Sequence, residues 1–306
     1  MPWGRLRVPH LHTPTKAVRV AQVPETVRER AAAFALALPC DSAFSHVTAA
    51  QLWGLTLPAG VEGRVVLDVI RHSDKTPVRR FGCKGHRGLE SRSVVEQVGV
   101  RVTGLADTWV DLGELALAKA DGHAELALDD LVIVGDEVAT QLIEPPGPGE
   151  RPDSPQLVAA AIGQLRQARG QRARVAGGSV LDQALDLVRA PVRSPMETRS
   201  RLMFVRAGFP EPRVNLAVHG AEDGQWLLEG DLVWEEQRVI GEYQGKDHAS
   251  ITRRSADAAR ALNAEDEGWQ VLEIFAADVY TPPRRRACLT RFAGALGLDL
   301  SSLRIA

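Results

Sequence analysis

The sequence predicts an α/β protein of two domains, and three observations carry that expectation. Residues 144–155, EPPGPGERPDSP, hold five prolines and two glycines in twelve positions, which breaks helix and sheet alike and marks a linker. After it, the hydrophobic pattern runs helix, three strands, helix, strand, helix, an αβββαβ order that builds a mixed sheet flanked by helices. Before it, short strand-like and helix-like segments follow one another, and 306 residues are enough for two cores. The expected division is 1–143, a smaller α+β domain; 144–155, the linker; and 156–306, a helical lead-in with a core over about 190–300.

Each element has its own signal. Residues 1–24 hold four prolines and no period, an extended lead-in. Val27, Ala31, Phe34 and Leu38 recur at helical spacing within 25–38. Ser45 is the expected cap of a short helix ending near Gly54, and VVLDVI (65–70) reads as a strand. The segment 71–92 is a basic loop or hairpin, followed by short strands at 95–102 and a helix at 105–119. DLVIVGDEV (130–138) reads as an apolar run entering a turn or helix start. Helices are expected at 155–168, 178–189, 195–207, 251–267 and 282–296, and strands at 214–218, 225–234, 238–244 and 269–275.

Composition narrows the function classes. Apolar residues at 44% with 25% charged residues support a sizeable core and exclude global disorder. A net charge of −2 means that any nucleic-acid footprint is a local patch. Three scattered cysteines with no CxxC fit a reducing compartment, and no signal-like or membrane-length apolar run occurs, so a cytoplasmic protein with no membrane partner is expected. Neither G-x-S-x-G nor G-x-x-x-x-G-K-[ST] occurs, which argues against a serine hydrolase and against a nucleotide cofactor.

The chemistry concentrates in GDLVWEEQRVIGEYQGKDH, residues 230–248. Asp231 starts one strand, and Glu242 and Gln244 share a face of the next. Two carboxylates beside an amide and the imidazole of His248 are a donor set for a hard divalent cation. Lys246, Arg253, Arg254 and the basic turn bearing Arg169 and Arg172 are the expected contacts to nucleic-acid phosphates.

Six segments in order, SPMETRSR (194–201), AGFPEPRVN (207–215), GDLVW (230–234), GEYQGKDH (241–248), RRSADAAR (253–260) and GWQVLEI (268–274), resemble the PD-(D/E)XK nuclease superfamily. More narrowly, they resemble its Vsr-like (very-short-patch-repair) endonuclease branch. The resemblance implies a restriction-endonuclease-like core and Mg²⁺- (or Mn²⁺-) dependent hydrolysis of DNA phosphodiester bonds in repair or defence. It implies Asp231 and Glu242 as metal ligands, with Glu197, Gln244 and His248 completing the catalytic set. The pattern's lysine, two places after the second acid, is Gln244 here, which carries no charge. The alternative is a non-catalytic DNA- or protein-binding regulator with a degenerate nuclease fold.

In the first half, FSHVTAAQLWGLTLP (44–58), FGCKGHRG (81–88), VRVTGLADTWVDL (100–112) and LVIVGDEV (131–138) resemble AbiEi-type antitoxins of toxin–antitoxin systems, which adds a protein partner to the expectations. His46 and Thr48 are expected to serve the helix start structurally, and Asp107 and Asp111 to lie on the surface.

Overall fold

The computed structural model describes residues 11–117, 124–143, 151, 153–172, 174–220, 224–245 and 264–305. It is mixed α/β and divides into two compact units. The first comprises 1–142 with 159–188, and the second 143–158 with 189–306. No helix among the described residues is long and apolar enough to cross a membrane.

The first unit is built on a five-stranded sheet of order β3-β2-β1-β5-β4. Its strands are β1 (Ala43–Phe44), β2 (Leu67–Arg71), β3 (Cys83–Arg87), β4 (Val94–Gln97) and β5 (Val100–Thr103). The β2–β3 and β1–β5 pairs are parallel, and the β1–β2 and β4–β5 pairs antiparallel. Helix α1 (Val27–Ala35) starts with a reciprocal cap between Thr26 and Glu29. Phe34 packs with Phe44, Leu52, Leu67, Val69 and Val102, which ties α1 and α2 (His46–Trp53) to the sheet. A four-residue helix, α3 (Ala59–Glu62), follows α2, and α4 (Leu105–Asp111) runs into a 3₁₀ turn at Leu112–Ala116.

The apolar run at 130–138 belongs to a full helix, α5 (Leu128–Ile143). Leu131, Val132, Ile133, Val134 and Val138 are all buried, and the helical period of the polar positions, Asp129, Asp136 and Thr140 among them, shows only over the whole helix and not within the nine-residue run. The Trp109 indole donates to the Leu131 carbonyl at 2.9 Å, which fixes α4 on α5.

Helices α6 (Pro155–Gly170) and α7 (Gly178–Leu187) correct the expected domain division. From Ala159 to Val188 the chain packs into the first unit, which is therefore the larger of the two. The close approach of Gly177 to Gly113 explains this. Gly177 has φ +73°, and a Cβ there would lie 1.9 Å from the Gly113 carbonyl oxygen. A Cβ on Gly113 would collide with Leu181 at 2.5 Å. The expected lead-in is thus a closing element of the first core.

The second unit carries helix α8 (Pro195–Ala207) and a four-stranded sheet of order β6-β7-β8-β9. Its strands are β6 (Arg213–His219), β7 (Trp226–Trp234), β8 (Val239–Gln244) and β9 (Gln270–Phe275). The first two pairings are antiparallel, and β8 runs parallel to β9. This is the mixed sheet that the αβββαβ order predicts. Most of the expected polar helix at 251–267 lies outside the described residues. A short helix the pattern did not reveal, α9 (Ala276–Tyr280), precedes α10 (Pro282–Ala295).

One sheet face meets α8 and α10 through Phe204, Trp234 and Phe292, whose ring centroids lie 4.7–5.6 Å apart in tilted or edge-on pairs. Gly241 is required by that packing, since a Cβ would press on Ile274 at 3.0 Å and Phe292 at 3.2 Å. The other face buries Leu216, Val218, Leu228, Val233 and Ile240.

Candidate metal-binding active site

The candidate site lies where β7 and β8 part. Leu232 pairs with Gly241, so Asp231 and Glu242 stand across from one another, one position beyond the last paired residues. The Asp231 carboxylate accepts from the Tyr243 backbone N–H at 2.8 Å, in place of the ladder bond that ends there. On β6 the register sets Asn215 opposite Asp231. Asn215 has φ +45°, a conformation asparagine tolerates better than most residues and one common at functional sites.

Asn215 holds the third acid. Its Nδ2 donates to Glu197 Oε2 at 2.7 Å and to the Pro191 carbonyl at 3.2 Å. Glu197 also accepts from the Arg193 N–H at 2.9 Å and the Ser194 hydroxyl at 2.9 Å, so it is buried and fixed by three donors. Ser194 in turn caps α8 by accepting from the Glu197 N–H, with Pro195 at the first helical position. Ser194→Ala is expected to cost about 1 kcal/mol, the usual worth of such a cap, read as a shifted denaturant midpoint.

The electrostatics follow from this placement. Burial raises the Asp231 carboxyl, and the neighbouring Glu197 carboxylate raises it further. The Tyr243 N–H and Arg193 oppose both effects, and the balance lies at about 7. On the next strand, Glu242 pairs in register with Glu273 across the parallel β8–β9 ladder. Two like charges side by side in a sheet repel. Sequence reading did not pick out Glu273, although its alternation with the apolar Leu272 and Ile274 in WQVLEIF was the available signal.

The remaining expected residues divide into three groups. Gln244 ends β8 with an exposed side chain. Lys246, His248, Arg253 and Arg254 lie outside the described residues. Arg169 and Arg172 are corrected: both are internal to the first unit. Arg169 pairs with Asp182 at 2.9 Å and donates to the Arg172 carbonyl. Arg172 is buried, hydrogen-bonded to Asp111 and to the Asp107 carbonyl. Most of the basic segment 71–92 is likewise engaged: Arg71 with Asp41, Arg80 with the Lys16 and Ala37 carbonyls, Lys84 with Glu114, and Arg92 with Asp111.

Asp107 and Asp111 are not surface residues. They are 6% and 2% exposed, and Asp107 Oδ2 accepts from the Ser93 N–H and hydroxyl. Thr48 is structural as expected, accepting from the Asp68 N–H at 2.7 Å. Ser45 does not cap α2 with its side chain; its hydroxyl bonds His46 Nδ1 at 2.9 Å instead.

Glu197, Asp231 and Glu242 do not form a tight three-ligand cluster; the one grouping of that kind among the described residues is His46, His86 and Glu114.

No family model matches the chain, and no solved structure matches it. Two curated relatives, the uncharacterized proteins MT2308 and Rv2248 of two Mycobacterium tuberculosis strains, are each 28% identical over 124 residues. The matched stretch covers 40% of this chain and 44% of each relative, so the chain is similar to less than half of either.

Proposed function

We propose that the second unit is a divalent-metal-dependent endonuclease that hydrolyses DNA phosphodiester bonds. The observation that carries this reading is Asp231, a strand acid that burial, and then the neighbouring Glu197 carboxylate, push up to about 7. Such pairing costs stability and is typical of sites built to receive a cation. Three features fit Mg²⁺ or Mn²⁺. The donors are all hard oxygens. Glu242 has Glu273 as a like-charged neighbour. Asn215 Oδ1, beside Glu197, is buried with no hydrogen-bond partner among the described residues, as a group awaiting a metal-bound water would be.

When bound, the metal would polarise the phosphate and lower the pKa of a bound water. Asp231 and Glu242 are the residues that would hold it. Glu197, immobilised by Ser194, Arg193 and Asn215, orients a water or a ligand. Gln244, at the mouth of the site, hydrogen-bonds a water or phosphate oxygen without adding charge. His248 takes or gives a proton at a pH suited to imidazole.

Calorimetry with Mn²⁺ and Mg²⁺, followed by incubation with supercoiled, nicked, mismatched and single-stranded DNA, tests the reading. The expected result is metal binding and cleavage by wild type, both lost in Asp231→Asn. Wild-type cleavage no greater than that of Asp231→Asn on every substrate removes the enzymatic reading.

One observation favours a second reading. Gln244 stands exposed and neutral where the pattern has a lysine. A non-catalytic regulator that keeps the fold and binds DNA or a protein partner would show Asp231-dependent metal binding without cleavage.

A further inference from the structure

We propose that the first unit holds a second metal site, formed by His46, His86 and Glu114 and selective for a borderline transition-metal dication of the Zn²⁺ class. One ligand atom from each residue lies within 4.8 Å of the other two. The three come from distant parts of the chain: the first residue of α2, strand β3 and the 3₁₀ turn after α4.

Each imidazole has an oxygen partner that sets its tautomer. His86 Nε2 lies 2.8 Å from Asp68 Oδ1. A carboxylate accepts, so Nε2 donates and Nδ1 keeps its lone pair. Asp68 is itself buried, with its backbone held by the Thr48 hydroxyl and the Ser45 N–H. His46 Nδ1 meets the Ser45 hydroxyl at 2.9 Å, with the Asp111 carboxylate 3.9 Å away, which favours the proton on Nδ1 and the lone pair on Nε2. That Nε2 is 3.9 Å from Glu114 Oε1. An oxygen partner behind each ligating histidine is the arrangement that fixes tautomer and ring direction at metal sites.

The local backbone supports a built site. His46 has φ +50°, a costly conformation for a non-glycine residue and one concentrated at functional positions. Two imidazole nitrogens and one carboxylate select Zn²⁺-class ions over Mg²⁺, and three protein ligands leave a fourth position for water or an exogenous group.

Two movements accompany binding. The rings stack at 3.7 Å between centroids with a 19° interplanar angle, so they must tilt before both can reach one ion. The Lys84 ammonium, now 3.0 Å from Glu114 Oε1, must leave; its side chain is half exposed and free to do so.

The test uses the full chain carrying Asp231→Asn, so that ions held by the second unit do not enter the count. After chelator treatment, Zn²⁺ is titrated by calorimetry and Co²⁺ by visible absorption, with circular dichroism as the check on folding. The expected result is one Zn²⁺ per chain and tetrahedral Co²⁺ bands. Binding weakens at least tenfold in Glu114→Gln and His86→Asn, and about 10- to 100-fold in Asp68→Asn, the usual worth of a partner behind a ligand. Lys84→Met removes the competing ammonium and tightens binding. No Zn²⁺ uptake, or uptake that folded Glu114→Gln and His86→Asn leave unweakened, overturns the proposal. Glu114 is only partly buried, so its variant keeps the test sharp even where His86→Asn unfolds.

Discussion

Asp111→Ala is expected to destabilise the first unit by about 3–5 kcal/mol, the usual cost of stripping one partner from a buried ion cluster. Asp111 sits at the centre of that cluster. Arg92 donates through Nε at 2.9 Å and through Nη2 at 2.6 Å, and Arg172 donates to the same Oδ1. Burial pushes the Asp111 carboxyl up, but His46 and the two arginines overcome it and hold the group below its ordinary range. Removing the carboxylate leaves the buried Arg172 with its closest charge partner gone and the Asp107 carboxylate, at 3.5 Å, to offset it alone. Arg172 also fastens the chain after α6 to α4, so its release loosens the 159–188 segment from the rest of the first core. Lys75→Ala is the control. It breaks an exposed pair with Asp74 at 3.5 Å, and should cost below about 1 kcal/mol. A denaturant midpoint for Asp111→Ala that matches the control would show that the cluster is not what holds the unit together.

The linkage sign at Asp111 gives a further check within the same experiment. A carboxyl with a lowered folded pKa stabilises the fold above its unfolded value, and that contribution is lost as pH falls through the folded one. The gap between wild type and Asp111→Ala should therefore narrow on acidification.

Local grammar made much of the second unit legible. Helix α8 spans the expected 195–207 because Ser194 caps it, Pro195 opens it and Gly208, at φ +91°, closes it. Strands β6 to β9 announce themselves by alternation, and Asp231 and Glu242 fall on the predicted strands. What stayed hidden depends on long-range pairing. Arg172 meets Asp111 across 61 residues, and no local pattern distinguishes an arginine bound for a buried carboxylate from one facing solvent. His46 and His86 are 40 positions apart, with none of the short spacings that betray metal ligands, and they meet only because α2 and β3 both adjoin β2. Strand β1 has two residues, too few for any period to show. Asn215 reads as an ordinary strand residue until the register sets it opposite Asp231 and its amide is found on Glu197.

In metal-free protein, stability should fall as pH rises from about 4 to about 7, and Asp231 should account for a cost on the order of 3–4 kcal/mol at neutrality. The sign follows from the direction of the shift. Its carboxyl is raised from 3.8 to about 7, so the native state holds the proton more tightly than the unfolded chain does. Stability from this group is complete below the unfolded value and gone above the folded one, where two carboxylates face each other in a part-buried site. Asp231→Asn removes the charge and keeps the size, so it should unfold at higher denaturant than wild type near about pH 8 and converge with it near about pH 4. Glu197→Gln should lower the titration midpoint of Asp231, read by carboxyl ¹³C shifts, because it deletes the like charge. Saturating Mn²⁺ should then stabilise wild type at neutral pH, by about 2.7 kcal/mol at a hundredfold excess over Kd, and leave Asp231→Asn unmoved. Parallel stability profiles for the two proteins across that pH range would sink the argument. Convergence at low pH together with metal rescue at high pH would tie the instability and the cation affinity to one cause: a carboxylate buried beside a like charge, which destabilises the metal-free fold and which a cation would neutralise.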